Sequence, residues 1–453
     1  MLGGEGDVME LQAKLDVDVV AVQAEDEVTC LLTLTAPVPD DLDSRPGETL
    51  IAVVDRSGSM AGGRLASVRS ALHALVDRLK PQDTFGVVVF DDQALVQVPT
   101  RRMDQHDVAV VHQLIESMNT GGMTDLSGGY LLGLSEARRH AGDTGATIVI
   151  LSDGHANHGI TEPGKLGDVA DQARWDRITT TTIGIGDGYD EILLSHLATL
   201  GAGSHRFALT DDDAISVMSE ESGDLLNKAI INAALRLRPM EEGLIEGITT
   251  FQALPRWREN DPDGAPVLVI ALGDLFAGET REVLLRIQVP ALAALGLHHL
   301  ADLRIEYVAL PEVAQQTITW PLAVNAVPGD EASGRIPDPS VATARLLAET
   351  TEAKKQAADA LRRFDTERAI EVLEQQTQKL RGQLDSLDPG TPEFYDLSTR
   401  LSEEQAQLEK LTRGAEIQPA PYSSKSMMED IAMEISGRND PRRRMRSRNK
   451  RDF

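Results

Sequence analysis

Leu50-Ile51-Ala52-Val53-Val54-Asp55-Arg56-Ser57-Gly58-Ser59 decides the fold class. The unbroken apolar run reads as a strand buried on both faces, the pattern of a parallel sheet covered by helices. Asp55, Ser57 and Ser59 follow at alternate positions and aim three oxygen ligands at one point just past the strand. A helical pattern comes next, with Leu65, Val68, Leu72, Leu75, Val76 and Leu79 on one face of residues 64–79.

Two more segments add ligands of the same kind. Thr124 lies in Gly121-Gly122-Met123-Thr124-Asp125, and Asp153 ends a second apolar run, Thr147-Ile148-Val149-Ile150-Leu151-Ser152. In an open parallel sheet, ligands gather beyond the carboxyl ends of the strands, so three loops converge. Hard divalent cations take oxygen donors. Asp55, Ser57, Ser59, Thr124 and Asp153 therefore read as a metal site for Mg²⁺, with Mn²⁺ or Ca²⁺ as alternatives. Ser/Asp loops also cap helices, and Gly-rich loops also simply turn. Finding all five residues in order favours the metal.

The rest of the chain is read from this centre outward. Strand candidates at 84–90, 147–152, 179–186 and 204–208 alternate with helical patterns at 126–139 and 192–200. Residues 47–228 are thus expected to form an α/β domain with a Rossmann-like doubly wound sheet. Residues 229–330 carry short strands separated by turns, as in Val267–Leu272 and Val283–Val289, and predict a β-sandwich. The period-two stretch Leu11–Val19 and the run Val28–Leu34 predict two strands in residues 1–46 that need a sheet elsewhere. The simplest arrangement inserts the α/β domain into the sandwich. Residues 338–413 read as a helical hairpin or three-helix unit of coiled-coil character, opened by the cap pair Asp338-Pro339. Residues 414–453 read as a basic, disordered tail with a short amphipathic helix at 427–435. The tail ends in Arg442, Arg443, Arg444, Arg446, Arg448, Lys450 and Arg451, a cluster suited to an acidic partner.

Composition narrows the function. The chain has 453 residues, 41% hydrophobic and 26% charged, as expected of a soluble protein of several domains. A net charge of −28 disfavours nucleic acid and anionic membranes as partners of the main body. The single cysteine, Cys30, leaves no intrachain disulfide framework. The start lacks a basic and apolar leader pattern, and no apolar run approaches the roughly 20 residues that span a bilayer. A cytoplasmic location is therefore expected.

Residues 47–226 resemble the von Willebrand factor A family. Asp55, Ser57 and Ser59 match its Asp-x-Ser-x-Ser motif, Thr124 its lone threonine, and Asp153 in Ser152-Asp153-Gly154 its distal aspartate. Ile183-Gly184-Ile185-Gly186 is similar to the family's late strand, and Ala271-Leu272-Gly273-Asp274-Leu275 to strands that accompany it in bacterial cytoplasmic proteins. The resemblance implies an intact metal-ion-dependent adhesion site. Mg²⁺ is held by the serines and threonine, with the aspartates bound directly or through water. One position stays open for a partner's Asp or Glu.

The chain shows no phosphate loop with its lysine, no His-Glu-x-x-His and no nucleophile elbow. It reads as a non-enzymatic scaffold or adaptor, with an ATPase or signalling partner expected by analogy. The alternatives are a structural subunit of a homo-oligomer, or a metal-dependent hydrolase with Asp125 as the nearest general base. His155, Asn157 and His158 read as polar loop residues or as a rim that tunes partner choice. Asp91-Asp92 reads as a solvated turn or an extra cation site.

Overall fold

The computed structural model describes residues 8–38, 46–142, 144–153, 156–186, 189–208, 217–218, 227–240, 244–250 and 256–435. The chain opens with β1 (Glu10–Leu15), β2 (Val19–Ala21) and β3 (Asp26–Thr35). It then enters an α/β unit of β4 (Thr49–Asp55), α1 (Arg64–Val76), β5 (Thr84–Phe90), β6 (Ala94–Arg102), α2 (Val108–Glu116), α3 (Leu126–His140), β7 (Ala146–Ser152), α4 (Pro163–Trp175), β8 (Ile178–Ile185), α5 (Glu191–Leu200) and β9 (Ala202–Ala208).

The sheet of this unit runs β6-β5-β4-β7-β8-β9, parallel throughout except for β6 at one edge. Every residue of β4 and β7 is buried, which is why these central strands lack an apolar/polar alternation. Side chains still alternate between faces. Leu50, Ala52 and Val54 pack with Leu65, Val68 and Leu72 of α1, whereas Ile51 and Val53 pack with Tyr130 and Leu134 of α3. The expected fold class is therefore present. β6, α2 and α4 are elements that the sequence reading did not single out. β6 contains Pro99, and half of its side chains face solvent, as a sheet edge allows.

The sandwich is completed by β10 (Lys228–Pro239), β11 (Ile248–Thr250), β12 (Arg256–Asn260), β13 (Pro266–Phe276), β14 (Thr280–Val289), β15 (Gly296–Ala309) and β16 (Ala314–Val327). One sheet is β1-β3-β14-β11 and the other β12-β13-β10-β15-β16-β2. Leu32 and Leu34 of the first sheet share a core with Ile270 and Ile305 of the second. The chain leaves the first sheet at β3 and returns in the second at β10, so the α/β unit is an insertion.

The junction is polar at its centre. Lys228 Nζ donates to Thr147 Oγ1 at 3.0 Å and pairs with Asp274 Oδ2 at 2.9 Å, while Thr179 Oγ1 donates to the same carboxylate at 3.0 Å. Burial raises the Asp274 carboxyl, but the Lys228 charge and these hydrogen bonds outweigh it and hold the group below the usual range. Beside it, Trp175 of α4 meets Trp257 of β12 edge-on at 4.3 Å, with the Arg174 guanidinium 5.0 Å from the Trp257 ring centroid.

After a one-turn helix at Gly329–Ser333, the chain forms α6 (Pro339–Arg362), α7 (Thr366–Ser386), α8 (Phe394–Ile417) and α9 (Ala420–Ile435). Asp338 caps α6 through Ser340 N and Val341 N. Val341 and Ala344 of α6 pack on Leu31 and Leu284 of the first sandwich sheet. The helical unit thus runs past residue 413, and α9 occupies much of the segment expected to be disordered. α9 is anchored because both its neighbours offer partners. Met427 joins the helical core, Ser424 Oγ donates to Glu191 Oε1 at 3.0 Å, and Lys425 Nζ sits 4.5 Å from the Tyr189 ring centroid. The arginine cluster from Arg442 lies outside the described residues. Among those described, no helix is long and apolar enough to cross a membrane.

Candidate metal centre

β4 ends at Asp55, and the turn that follows is shaped by that side chain. Asp55 Oδ1 accepts from Ser57 N at 2.8 Å, and Oδ2 accepts from Ser152 Oγ at 2.6 Å. Ser57 Oγ and Ser59 Oγ are 3.0 Å apart, and Ser59 Oγ donates to Asp153 Oδ1 at 2.8 Å. Asp55, Ser57, Ser59 and Asp153 therefore form one hydrogen-bonded group at the carboxyl ends of β4 and β7. Arg64, the first residue of α1, donates from Nη1 to Asp153 Oδ2 at 2.6 Å and to the Ser59 carbonyl at 3.2 Å.

The loop that carries Thr124 is tied to the Asp55 loop through its glycines. Gly58 N donates to Gly122 O at 3.0 Å, and Gly121 N donates to Arg56 O at 2.6 Å. These two bonds fasten the glycine-rich loop to the Asp55 loop. Gly121 is required there, because a Cβ would lie 1.9 Å from Asp91 Oδ2. On its other side, Thr124 N donates to Asn157 Oδ1 at 3.0 Å, and Thr124 O accepts from Asn157 N and His158 N. Asp125 caps α3, with Oδ1 accepting from Ser127 Oγ at 2.6 Å and Gly128 N at 2.9 Å.

The electrostatics suit a cation. Asp55 is fully buried and Asp153 is 1% exposed. Burial pushes the Asp55 carboxyl above its usual range, and the Asp153 charge adds to that, while the hydrogen bonds from Ser152 and Ser57 pull it down. A divalent ion relieves the buried like charges. The donor set, two carboxylates and three hydroxyls, matches a hard ion. It is also poor in charge: among the described residues, no group of three or more His, Cys, Asp or Glu is placed to hold one ion.

Several neighbours had other readings in the sequence. Asp91 is neither a solvated turn residue nor a free cation ligand. It is 5% exposed, pairs with Arg56 Nη2 at 2.8 Å and accepts from Gln93 N at 3.0 Å. Asn157 pins Thr124, and Ser152 and Arg64 hold the two aspartates. No motif rule flags these residues, because each acts through a contact far away in sequence. His155 lies outside the described residues.

A model of the von Willebrand factor type A domain matches residues 49–221. Similar solved structures extend over nearly the whole chain. A von Willebrand factor type A protein from Catenulispora acidiphila gives a TM-score of 0.70 at 16% identity, covering 95% of this chain and 98% of that one. The ArnB paralog VWA2 from Sulfolobus acidocaldarius gives 0.64 at 14% identity, covering 95% and 99%. The protein sll0103 of Synechocystis sp. is 28% identical over 271 residues, which is 59% of this chain and 63% of that protein. The chain spans less than two thirds of the length of such curated relatives. At these identities the solved structures establish the fold alone.

Proposed function

Residues 49–221 being a von Willebrand factor type A domain, we propose that the chain is a binding module that recognises an acidic side chain of a protein partner through Mg²⁺ at Asp55, Ser57, Ser59, Thr124 and Asp153. The observation that carries this reading is the hydrogen-bonded group of Asp55, Ser57, Ser59 and Asp153 at the ends of adjacent parallel strands. When bound, the ion supplies an electrophilic position for a carboxylate oxygen. The chain's own residues do the rest. Three of the five donors are neutral hydroxyls and Arg64 shares the charge of Asp153, so the donor set is not over-neutralised and attraction for a further anion is preserved. Asp55 and Asp153 are held by Ser57, Ser152, Ser59 and Arg64, so no donor has to be reoriented when the partner arrives.

Asp125 supports binding over hydrolysis. Its Oδ1 is committed to Ser127 and Gly128 as a helix cap, an arrangement that orients α3 and does not activate water. The helices favour an adaptor over a self-assembling subunit, since α6 and α9 cover apolar surface on their own chain.

The test is affinity capture from native lysate with Mg²⁺, with EDTA, and with Asp55→Ala as bait. A protein retained only by the unaltered chain with Mg²⁺ supports the reading. An identical set in all three samples overturns it.

A further inference from the structure

Away from this centre, α1 and α2 lie side by side and bring His73 and His112 together. Their Nδ1 atoms are 2.6 Å apart, and their ring centroids 4.8 Å apart. Each opposite nitrogen faces a carboxylate. His73 Nε2 is 3.4 Å from Glu116 Oε2, and His112 Nε2 is 3.3 Å from Asp77 Oδ1. Arg69 takes the other oxygen of Glu116 at 3.3 Å. The two imidazole side chains are 28% and 30% exposed, so ions in solution reach them.

A proton count shows what this row lacks. The contacts Glu116–His73, His73–His112 and His112–Asp77 each need one ring N–H. Two neutral imidazoles carry one N–H each. Every neutral tautomer pair therefore leaves two acceptors facing each other in at least one contact. A cation between the Nδ1 atoms removes the conflict. The carboxylates favour protons on both Nε2 atoms, which turns the two Nδ1 lone pairs towards each other. A carboxylate on the far nitrogen is also what orients a metal-binding imidazole.

We propose that His73 and His112 bind one transition-metal ion of the Zn²⁺ class through their Nδ1 atoms, with Glu116 and Asp77 orienting the rings and water completing the coordination. Imidazole suits Zn²⁺, Ni²⁺ and Cu²⁺, whereas Mg²⁺ prefers oxygen. At Zn–N distances of about 2.0–2.1 Å, tetrahedral geometry sets the nitrogens about 3.3 Å apart. The partly exposed rings reach that separation by opening less than about 1 Å. The ion then clips α2 to α1. Its nitrogen donors are wholly separate from the oxygen donors of the Asp55 centre.

The experiment is a calorimetric titration of the full chain with Zn²⁺ in excess Mg²⁺, so that the oxygen site holds the harder ion. The expected result is one equivalent of Zn²⁺ bound by the unaltered chain and by Asp55→Ala. His73→Ala and His112→Gln, checked for folding by circular dichroism, should each bind that equivalent at least tenfold more weakly. Zn²⁺ should also raise the melting temperature of the unaltered chain but not of either histidine variant. No Zn²⁺ binding by the unaltered chain, or equal binding by the histidine variants, overturns the proposal.

Discussion

The Ser59 hydroxyl donates to Asp153 Oδ1 at 2.8 Å across 94 positions of sequence. This one bond joins the turn after β4 to the end of β7. It makes the spacing of Asp55, Ser57 and Ser59 a three-dimensional property of the sheet, because β4 and β7 are adjacent parallel strands.

Asp55→Asn should separate metal binding from folding. The amide removes a buried charge beside Asp153 while keeping the side chain's shape. Mg²⁺ affinity is expected to fall at least about 100-fold by calorimetry, in line with the loss of a charged ligand. The metal-free melting temperature should stay level or rise, since the carboxylate is disfavoured by its burial. A large fall in melting temperature would mark Asp55 as a structural residue.

Asn157→Ala should weaken the centre without removing a ligand. Asn157 Oδ1 and N hold both backbone groups of Thr124. Metal affinity should drop about tenfold, the order seen when a group supporting a ligand is lost. Thr124→Val keeps those backbone bonds and deletes the hydroxyl, so it should cost more. Equal affinities for Asn157→Ala and the unaltered chain would show that the loop is held by other means.

Lys354 is fully buried in the helical unit, pairing with Glu404 at 2.7 Å and with Asp430 of α9. Lys354→Ala leaves two carboxylates without their cation and should cost about 3–5 kcal/mol in denaturant unfolding. Lys354→Met fills the space and should cost less than the alanine, because the packing is kept. Equal costs for the two variants would point to charge alone.

Acid should loosen the sandwich through Asp26. The Arg335 hydrogen bonds hold its carboxyl below the usual value, with burial opposing and backbone donors assisting. A depressed carboxyl stabilises the fold above the unfolded value of about 3.9 and loses that contribution as pH falls through the folded value. Asp26→Asn should therefore lower stability near neutral pH by about 1–2 kcal/mol, allowing for partial exposure of the pair. The gap should close below about pH 4. A difference that persists in strong acid would assign the effect to packing.

The α/β unit was legible because its central strands are buried on both faces. Runs such as Leu50–Val54 and Ile148–Leu151 have few other readings. The grouping of Asp55, Ser57, Ser59 and Asp153 was legible because oxygen-bearing side chains just past the ends of parallel strands converge; that they hold a metal is our proposal. The roles of Arg64, Ser152 and Asn157 were not, since each acts through a contact far away in sequence; Asn157 read only as a loop or rim residue. The amphipathic helix expected at 427–435 lies inside α9, whose start at Ala420 was missed for a related reason. Its sequence is weakly patterned, and its stability comes from Glu191, Tyr189 and Lys354, which lie far away in the chain.

The inserted unit meets its host at β3 in one sandwich sheet and at β10 in the other, with Lys228 and Asp274 locked at the seam and α9 packed on β9 through Tyr422 and Phe207. This geometry has a mechanical meaning. A pull exerted through the Asp55 centre would be shared by both sheets, with α9 as a further attachment. A single-tether domain would swivel under the same load. Two crossings and the α9 contact brace this one, an arrangement that would hold a partner bound at the Asp55 centre at a fixed angle.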